Sequence, residues 1–299
     1  MSVSSIEVNL IEQGLATQYS VAAALTFLIY DYSITLDTEL TYIWKNPAGN
    51  SPWTWLFFLN RYVGLLSVTF EAIGILTDFG GRDITEVCTI FYWWEALWGI
   101  LSLLIVEVIL QTKIYIVYNR SRTLLKVLIP LFILSAAATF VFFIIFVLNI
   151  KTPNIPKNIV EDFRDNFGKL GPLKGCFTIG GSYPFWVWLP VLTFETFLCL
   201  LMVLKVCEIY RVDWRSPLLK TIVVDSILYF LPVFGLLLGS SLLWGIEGKH
   251  LNNLVELTGP WVTVIASALG SRLLLNIREE FSKGRSRVDS SELIPLTTV

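Results

Sequence analysis

The sequence consists mainly of long apolar stretches joined by polar connections. A helix needs about 20 mostly apolar residues to cross the hydrocarbon core of a bilayer, where every backbone polar group must be bonded internally. Seven stretches have this length, and they are 17–36, 53–76, 87–111, 127–150, 184–207, 218–244 and 254–277. The sequence therefore predicts an all-α integral membrane bundle of seven transmembrane helices.

The composition supports a membrane protein and argues against several other classes. Hydrophobic residues make up 55% of the chain and charged residues 15%, whereas soluble domains are about one quarter charged. The net charge is −2, and the basic residues do not form a single stripe, so nothing indicates a nucleic-acid partner. The predicted partner is the lipid bilayer itself.

Lysine and arginine residues predict the orientation of the bundle, because they concentrate in short cytoplasmic connections. They are twice as frequent on the side that contains Lys45, the connection 112–126, the connection 208–217 and the tail. This pattern predicts an extracellular N-terminus at 1–16, an outer loop at 151–183 and a cytoplasmic tail at 278–299. The single N-glycosylation sequon, which begins at Asn119, then faces the cytoplasm and should remain unused.

Two segments near the N-terminus carry a family resemblance. Residues 30–47 read YDYSITLDTELTYIWKNP, residues 58–62 read FLNRY, and residues 270–278 near the end of the last helix read GSRLLLNIR. The chain resembles a family of multi-pass membrane proteins from basidiomycete fungi, whose N-terminal domain of unknown function has the pattern YDY…LD.E…IWK.P…LNRY. The resemblance implies a fungal seven-helix protein and carries no known activity.

Charged residues inside the apolar stretches are candidates for structural or functional contacts, because an isolated charge at bilayer depth is costly. Asp31 in the first stretch and Arg61 in the second fall at similar depths, about 5 Å apart along the helix axis at 1.5 Å rise per residue. We expect these two residues to form a structural ion pair between neighbouring helices. An ion or proton path through the same residues is the alternative.

Aromatic and acidic residues concentrate in the outer half of the predicted bundle. Such residues either anchor the protein in lipid or line an outer vestibule for a small ligand, and both interpretations stay open. Glu95 and Glu195 would make such a vestibule acidic, or each would form a hydrogen bond to a neighbouring helix. The candidate vestibule residues are Trp94, Glu95, Trp98, Trp188, Glu195 and Trp261.

Small residues predict close packing of the last two helices. Gly235 and Gly239 form a GxxxG motif in the sixth stretch, and Ala266, Gly270 and Ser271 give the seventh a small face. Small faces allow helix backbones to approach closely. We expect this packing to occur within the bundle.

The residues that common catalytic centres require are absent from this sequence. A single histidine, His250, does not supply the two or more histidine ligands of most membrane zinc, di-iron or haem centres. The chain has no phosphate-binding loop, GxGxxG or GxSxG motif, and the last helix has no lysine for retinal. The prediction is a protein that is not an enzyme and that has no metal or cofactor.

Two functional hypotheses remain. The predicted layout is that of G-protein-coupled receptors, although the chain lacks their Asp/Glu-Arg-Tyr and Asn-Pro-x-x-Tyr motifs, so a receptor-like protein with an unknown cytoplasmic partner is the first hypothesis. Cys88 and Cys176 both fall on the oxidising outer side, which predicts a disulfide between them. The alternative is a small-solute or proton-coupled transporter or channel that uses the intramembrane acids.

The C-terminal tail contains a candidate sorting signal. Asp289 precedes the pair Leu293 and Ile294 in a pattern that resembles the acidic dileucine signals read by clathrin adaptors. The signal requires a cytoplasmic tail, in agreement with the basic residues. We expect the protein in the plasma membrane or in endosomal or vacuolar membranes.

Overall fold

The computed structural model describes residues 3–45, 52–77, 84–149, 185–212, 229–243 and 255–292. All regular elements in these ranges are helices. Helix formation follows from the apolar composition, because a helix satisfies its own backbone hydrogen bonds without water. The predicted all-α class is therefore confirmed for the described part of the chain.

The helices include two π turns. The first helix, α1, is Val3–Glu39 and ends in a π turn at Leu40–Trp44. The next span consists of α2 at Pro52–Phe58, a π turn at Leu59–Val63 and α3 at Gly64–Leu76. The remaining elements are α4 at Ile84–Val117, α5 at Arg122–Asn149, a 3-10 turn at Phe185–Trp188, α6 at Leu189–Val212, α7 at Tyr229–Leu243 and α8 at Val255–Glu292.

Six helical segments of the described chain are long and apolar enough to cross a membrane. They are Gly14–Trp44, Trp53–Leu76, Trp93–Val117, Arg122–Ile145, Phe185–Glu208 and Leu257–Glu279. The shorter apolar helix α7 lies inside the predicted sixth stretch 218–244, whose first part at 218–228 is outside the described residues. The chain is thus an integral membrane protein with six candidate spans.

Helix α8 lies at the centre of the bundle, where it packs against α1, α3 and α4. The largest apolar cluster joins α4, α6, α7 and α8 through residues such as Ile109, Leu198, Leu237 and Leu273. A second cluster joins α1, α3 and α8. One end of the bundle contains the end of α1, the start of α2 and the point at which α8 leaves its membrane span. We call this the tail end.

Ser20 of α1 forms hydrogen bonds to α8 close to a proline inside that helix. Pro260 has no backbone N–H, so the helix loses a hydrogen bond in its first turns. The Ser20 hydroxyl of α1 donates to the Leu257 carbonyl at 3.1 Å, and the Trp261 indole N–H donates to the Ser20 oxygen at 2.9 Å. These bonds tie α1 to α8 at the side opposite the tail end.

Two glycines allow α8 to approach the second span closely. A Cβ atom at Gly64 would lie 2.5 Å from Ser267 Oγ, and one at Gly270 would lie 2.8 Å from Asn60 Nδ2. By contrast, no described atom lies within 4 Å of a Cβ built at Gly235 or Gly239. The small face predicted for the last helix packs against the second span. The two glycines of the α7 GxxxG motif do not closely approach another described helix.

Candidate functional site

The Arg61 side chain is the centre of a polar network between α1 and the second span. Its Nε atom lies 2.8 Å from Glu39 Oε2, and the two side chains are only 1% and 0% exposed. Its other nitrogens donate to Thr35 Oγ1 and to the Tyr32 carbonyl, each at 2.9 Å. The guanidinium also lies over the Tyr32 ring, 4.1 Å from its centroid. The positive charge is therefore fully enclosed by polar and aromatic partners.

The second oxygen of Glu39 accepts two hydrogen bonds. The Trp44 indole N–H donates to Glu39 Oε1 at 3.0 Å, and the Tyr62 hydroxyl donates to the same atom at 2.6 Å. A buried carboxylate needs such donors as well as an opposite charge, because burial removes it from water. Glu39 and Arg61 thus form a compensated ion pair inside the bundle.

The π turn around Arg61 is bonded to both α1 and α8. The Tyr32 hydroxyl of α1 donates to the Arg61 carbonyl and lies 2.6 Å from Ser267 Oγ. Ser267 of α8 in turn donates to the Asn60 carbonyl at 2.6 Å. The Asn60 amide donates back to the Ser267 carbonyl at 2.8 Å and to Ser271 Oγ at 3.1 Å. One turn of the second span therefore joins three helices.

Asp31 forms its ion pair with Arg272 of α8. Both Nε and Nη2 of Arg272 lie 2.7 Å from Asp31 Oδ1, and Arg272 is 41% exposed while Asp31 is 3% exposed. The structure therefore corrects the predicted Asp31–Arg61 pairing, since each of the two residues has a different partner. The reason is that α1 continues three residues beyond the predicted end at Leu36, which brings Glu39 to the depth of Arg61.

Sequence reasoning missed Glu39 although a signal was present. Asp31, Thr35 and Glu39 are spaced four residues apart, so they follow one another along one face of a continuous helix. Three polar side chains on one face indicate a helix that extends at least to Glu39. The assumed end at Leu36 excluded Glu39 from the candidate intramembrane charges.

A second cluster consists of two acids near the centre of the bundle. Glu107 of α4 and Glu195 of α6 are 2% and 0% exposed, and Glu195 is close enough to act electrostatically on Glu107. Neither oxygen of Glu107, nor Oε2 of Glu195, has a hydrogen-bond partner among the described residues. Glu195 Oε1 receives only a weak contact, from Cys199 Sγ at 4.0 Å. We call Glu107 and Glu195 the acid pair.

Glu71 and Glu95 converge on α8 nearer the opposite end of the bundle. A Cβ atom at Gly259 would lie 3.1 Å from Glu95 Oε1 and 4.0 Å from Glu71 Oε1. Both acids have further interactions within the molecule. Glycine at 259 thus leaves room for two carboxyl groups from α3 and α4.

The predicted vestibule residues lie in several separate environments. Trp94 and Trp98 stack with ring centroids 6.3 Å apart, beside Glu95 on the same helix. Trp188 packs against the largest apolar cluster, and Trp261 packs against the cluster between α1, α3 and α8. Glu195 is fully buried. The described contacts bring Trp94 and Trp98 together and do not join all six residues.

Several predicted sites fall outside the described part of the chain. Cys176, Leu293 and Ile294 are not among the described residues, and the side chains of Cys88 and Asp289 are not described either. The described residues contain no disulfide, and Cys199 and Cys207 are free. Within the same residues, no group of three or more His, Cys, Asp or Glu side chains could hold a metal ion. The disulfide and the sorting signal stay predictions.

These observations define an integral membrane protein of the helical-bundle class, with one compensated charge network and one pair of buried acids. Residues 19–66 match the model of a family of unknown function, DUF6533. The matched segment contains Asp31, Tyr32, Glu39, Asn60 and Arg61, so it carries the α1 and second-span half of the network. No curated protein and no solved structure matches the chain.

Proposed function

We propose that this protein is a seven-helix, proton-coupled transporter of a small solute. The observation that supports the proposal is the acid pair, Glu107 and Glu195, which is buried and has three carboxyl oxygens without a hydrogen-bond partner among the described residues. Two nearby carboxylates in a low-dielectric interior repel each other, and burial penalises each charge. At least one of them is therefore expected to hold a proton or to share a cation. Buried acids of this kind mark proton relays in pumps and transporters.

A seventh span is part of this proposal. The described helix α7 is preceded by the mostly apolar residues 218–228, which would extend it to a spanning length. The basic residues of the tail-end connections favour a cytoplasmic tail and an extracellular N-terminus. In this orientation the acid pair lies between the two membrane surfaces, where access from either side would have to alternate for coupled transport.

Infrared spectroscopy tests the acid pair without knowledge of the solute. A protonated carboxylic acid gives a carbonyl stretching band that is distinct from the band of a carboxylate. We expect this band at neutral pH in the purified protein and expect it to weaken in Glu107→Gln and in Glu195→Gln. Glu208→Gln is the matched control, because Glu208 lies on the same helix as Glu195 but is 60% exposed and paired with Lys205.

Transport is tested in proteoliposomes that carry a pH gradient. Mixtures of amino acids, sugars and small organic ions are supplied, and the internal pH is followed with a fluorescent dye. A solute mixture that collapses the gradient in wild-type vesicles should act at least tenfold more slowly with Glu107→Gln. Proton-coupled transport is rejected for a solute that enters wild-type and Glu107→Gln vesicles at equal rates, with or without the pH gradient.

A receptor is the second candidate, and the Trp94–Trp98 stack beside Glu95 favours it. The indole nitrogen of Trp98 is buried and has no hydrogen-bond acceptor among the described residues, so it is available to an acceptor group on a ligand. Ligand-dependent recruitment of a cytoplasmic protein that is lost in Trp98→Phe, with no solute flux, would favour the receptor. The plasma membrane and the endosomal or vacuolar membranes are the expected locations for either function.

A further inference from the structure

Two π turns meet at one carboxylate. Glu39 directly precedes the π turn Leu40–Trp44, and Trp44 of that turn donates to Glu39 Oε1. Arg61 and Tyr62 both belong to the π turn Leu59–Val63, and both contact Glu39. The two turns are on neighbouring spans, so one side chain connects two irregular sites in different helices.

The π turn Leu59–Val63 has hydrogen-bond partners outside its own helix. The i→i+5 hydrogen bonds of a π turn, such as Lys45 N–H to Leu40 O at 3.0 Å in the other turn, are rare, and single π turns usually mark functional sites. The widened turn also changes which backbone groups are paired, and lipid supplies no substitute donors. Here Ser267 and Tyr32 supply hydrogen bonds to the carbonyls of Asn60 and Arg61.

We propose that the Glu39–Arg61 ion pair is a conformational latch that holds both π turns, and that its release returns them to α-helical geometry. An α-helix turns by about 100° per residue, at 3.6 residues per turn. Loss of the π turn at Leu59–Val63 would therefore rotate α2 by about 100° relative to α3. Thr54 of α2, which accepts a hydrogen bond from Arg278 of α8, would turn away from α8.

Distances between spin labels measure this rotation. One label is placed at Trp55→Cys in α2 and the other at Lys126→Cys in α5, both exposed positions, in a chain whose four native cysteines are replaced by serine. A second pair combines Lys126→Cys with Leu66→Cys, an exposed position on α3 beyond the π turn. Rotation of a helix about 5–6 Å in radius displaces a surface group by about 8 Å.

The expected result is a shift in one of the two label pairs. In Glu39→Gln and in Arg61→Gln, the Trp55–Lys126 distance distribution should move by several ångströms and the Leu66–Lys126 distribution should stay as in the wild type. Unchanged distributions for both pairs, in variants that remain monodisperse, would overturn the latch and leave Glu39–Arg61 as a rigid brace.

Deletion of Leu59 keeps the proposal testable if Glu39→Gln does not fold. This exposed residue lies in the π turn, and its removal makes the turn one residue shorter while α2 and α3 keep their native faces. The deletion should restore the yield of the Glu39→Gln/Arg61→Gln double variant to at least half that of the deletion alone, because neither buried charge then remains and a continuous α-helix no longer needs the latch. No recovery of yield would also overturn the proposal.

Discussion

Individual buried charges in this bundle differ in how completely they are compensated. Arg61 is enclosed and has a carboxylate, a hydroxyl and a carbonyl as partners. Arg272 has one carboxylate and is partly open. The acid pair, Glu107 and Glu195, has no cationic partner among the described residues. Removal of a partner should therefore have different costs at these three places.

Loss of Glu39 should destabilise the protein more than loss of Asp31. Arginine does not give up its proton in proteins, so Glu39→Gln leaves a charged Arg61 buried, at a cost of about 3–5 kcal/mol. Asp31→Asn leaves Arg272, which is 41% exposed and keeps access to polar surroundings, so the expected cost is about 1 kcal/mol. Thermal unfolding in one detergent gives both values.

An exposed ion pair provides the control for this comparison. Lys205 and Glu208 are 20% and 60% exposed, so Glu208→Gln should change the free energy of unfolding by less than about 1 kcal/mol. A double-mutant cycle on Glu39 and Arg61 should show strong coupling, whereas one on Asp31 and Arg61 should be nearly additive. Equal losses for Glu39→Gln and Asp31→Asn would contradict the difference in burial described above.

At the scale of helices, the sequence predicts where apolar segments lie and predicts their irregularities poorly. The apolar pattern gave the spans beginning near Trp53 and ending near Leu76, because length and composition alone decide them. The π turn Leu59–Val63 contacts Glu39, Tyr32 and Ser267, which are distant from it in the sequence. The partners of Arg61 and Asp31 depend on how far α1 extends and on its packing against α8, so helix depth alone did not predict them.

Gly64→Ala should destabilise the contact between α3 and α8. The new methyl group would lie 2.5 Å from Ser267 Oγ, and Ser267 cannot move away without losing its bonds to Tyr32 and Asn60. Overpacking of this kind costs about 1–3 kcal/mol, which thermal unfolding detects. Gly235→Ala is the matched control, because no described atom is near it and alanine favours helix by up to about 1 kcal/mol. A higher melting temperature for Gly64→Ala would refute the close packing.

At the scale of the whole molecule, the connection between α4 and α5 bears on the orientation of the bundle. The α4–α5 connection is a short turn in which Asn119 and Arg120 have φ angles of 53° and 57°, and both residues are exposed. A glycan at the exposed sequon Asn119 would show that this turn faced the lumen during synthesis. The turn is therefore a natural reporter of topology.

Glycosylation mapping should give no glycan at Asn119 and a glycan in the connection between α5 and α6. Gly168→Thr creates a sequon at Asn166, in the loop 151–183 that is predicted to be outside. In eukaryotic expression, endoglycosidase treatment should shift the mobility of Gly168→Thr only. A shift in the wild type that Asn119→Gln abolishes would reverse the proposed orientation.

The disulfide between Cys88 and Cys176 is a further prediction that depends on this orientation. It would close a loop of about 90 residues, worth up to about 4–5 kcal/mol by chain entropy in water and less between inserted helices. It would also hold the outer loop over the bundle. Mass spectrometry of non-reduced peptides should show the two cysteines linked, whereas free, alkylatable thiols would reject the bond.

Because α8 is long, a small tilt near its start produces a large displacement at its end. From Pro260 to Glu292 the helix is continuous, and at 1.5 Å per residue this distance is about 48 Å. A tilt of 10° at the proline would therefore move the far tip by about 8 Å. The segment from Glu279 to Glu292 extends about 20 Å beyond the membrane span, so a small tilt of α8 inside the bundle produces a larger displacement at the end of this segment.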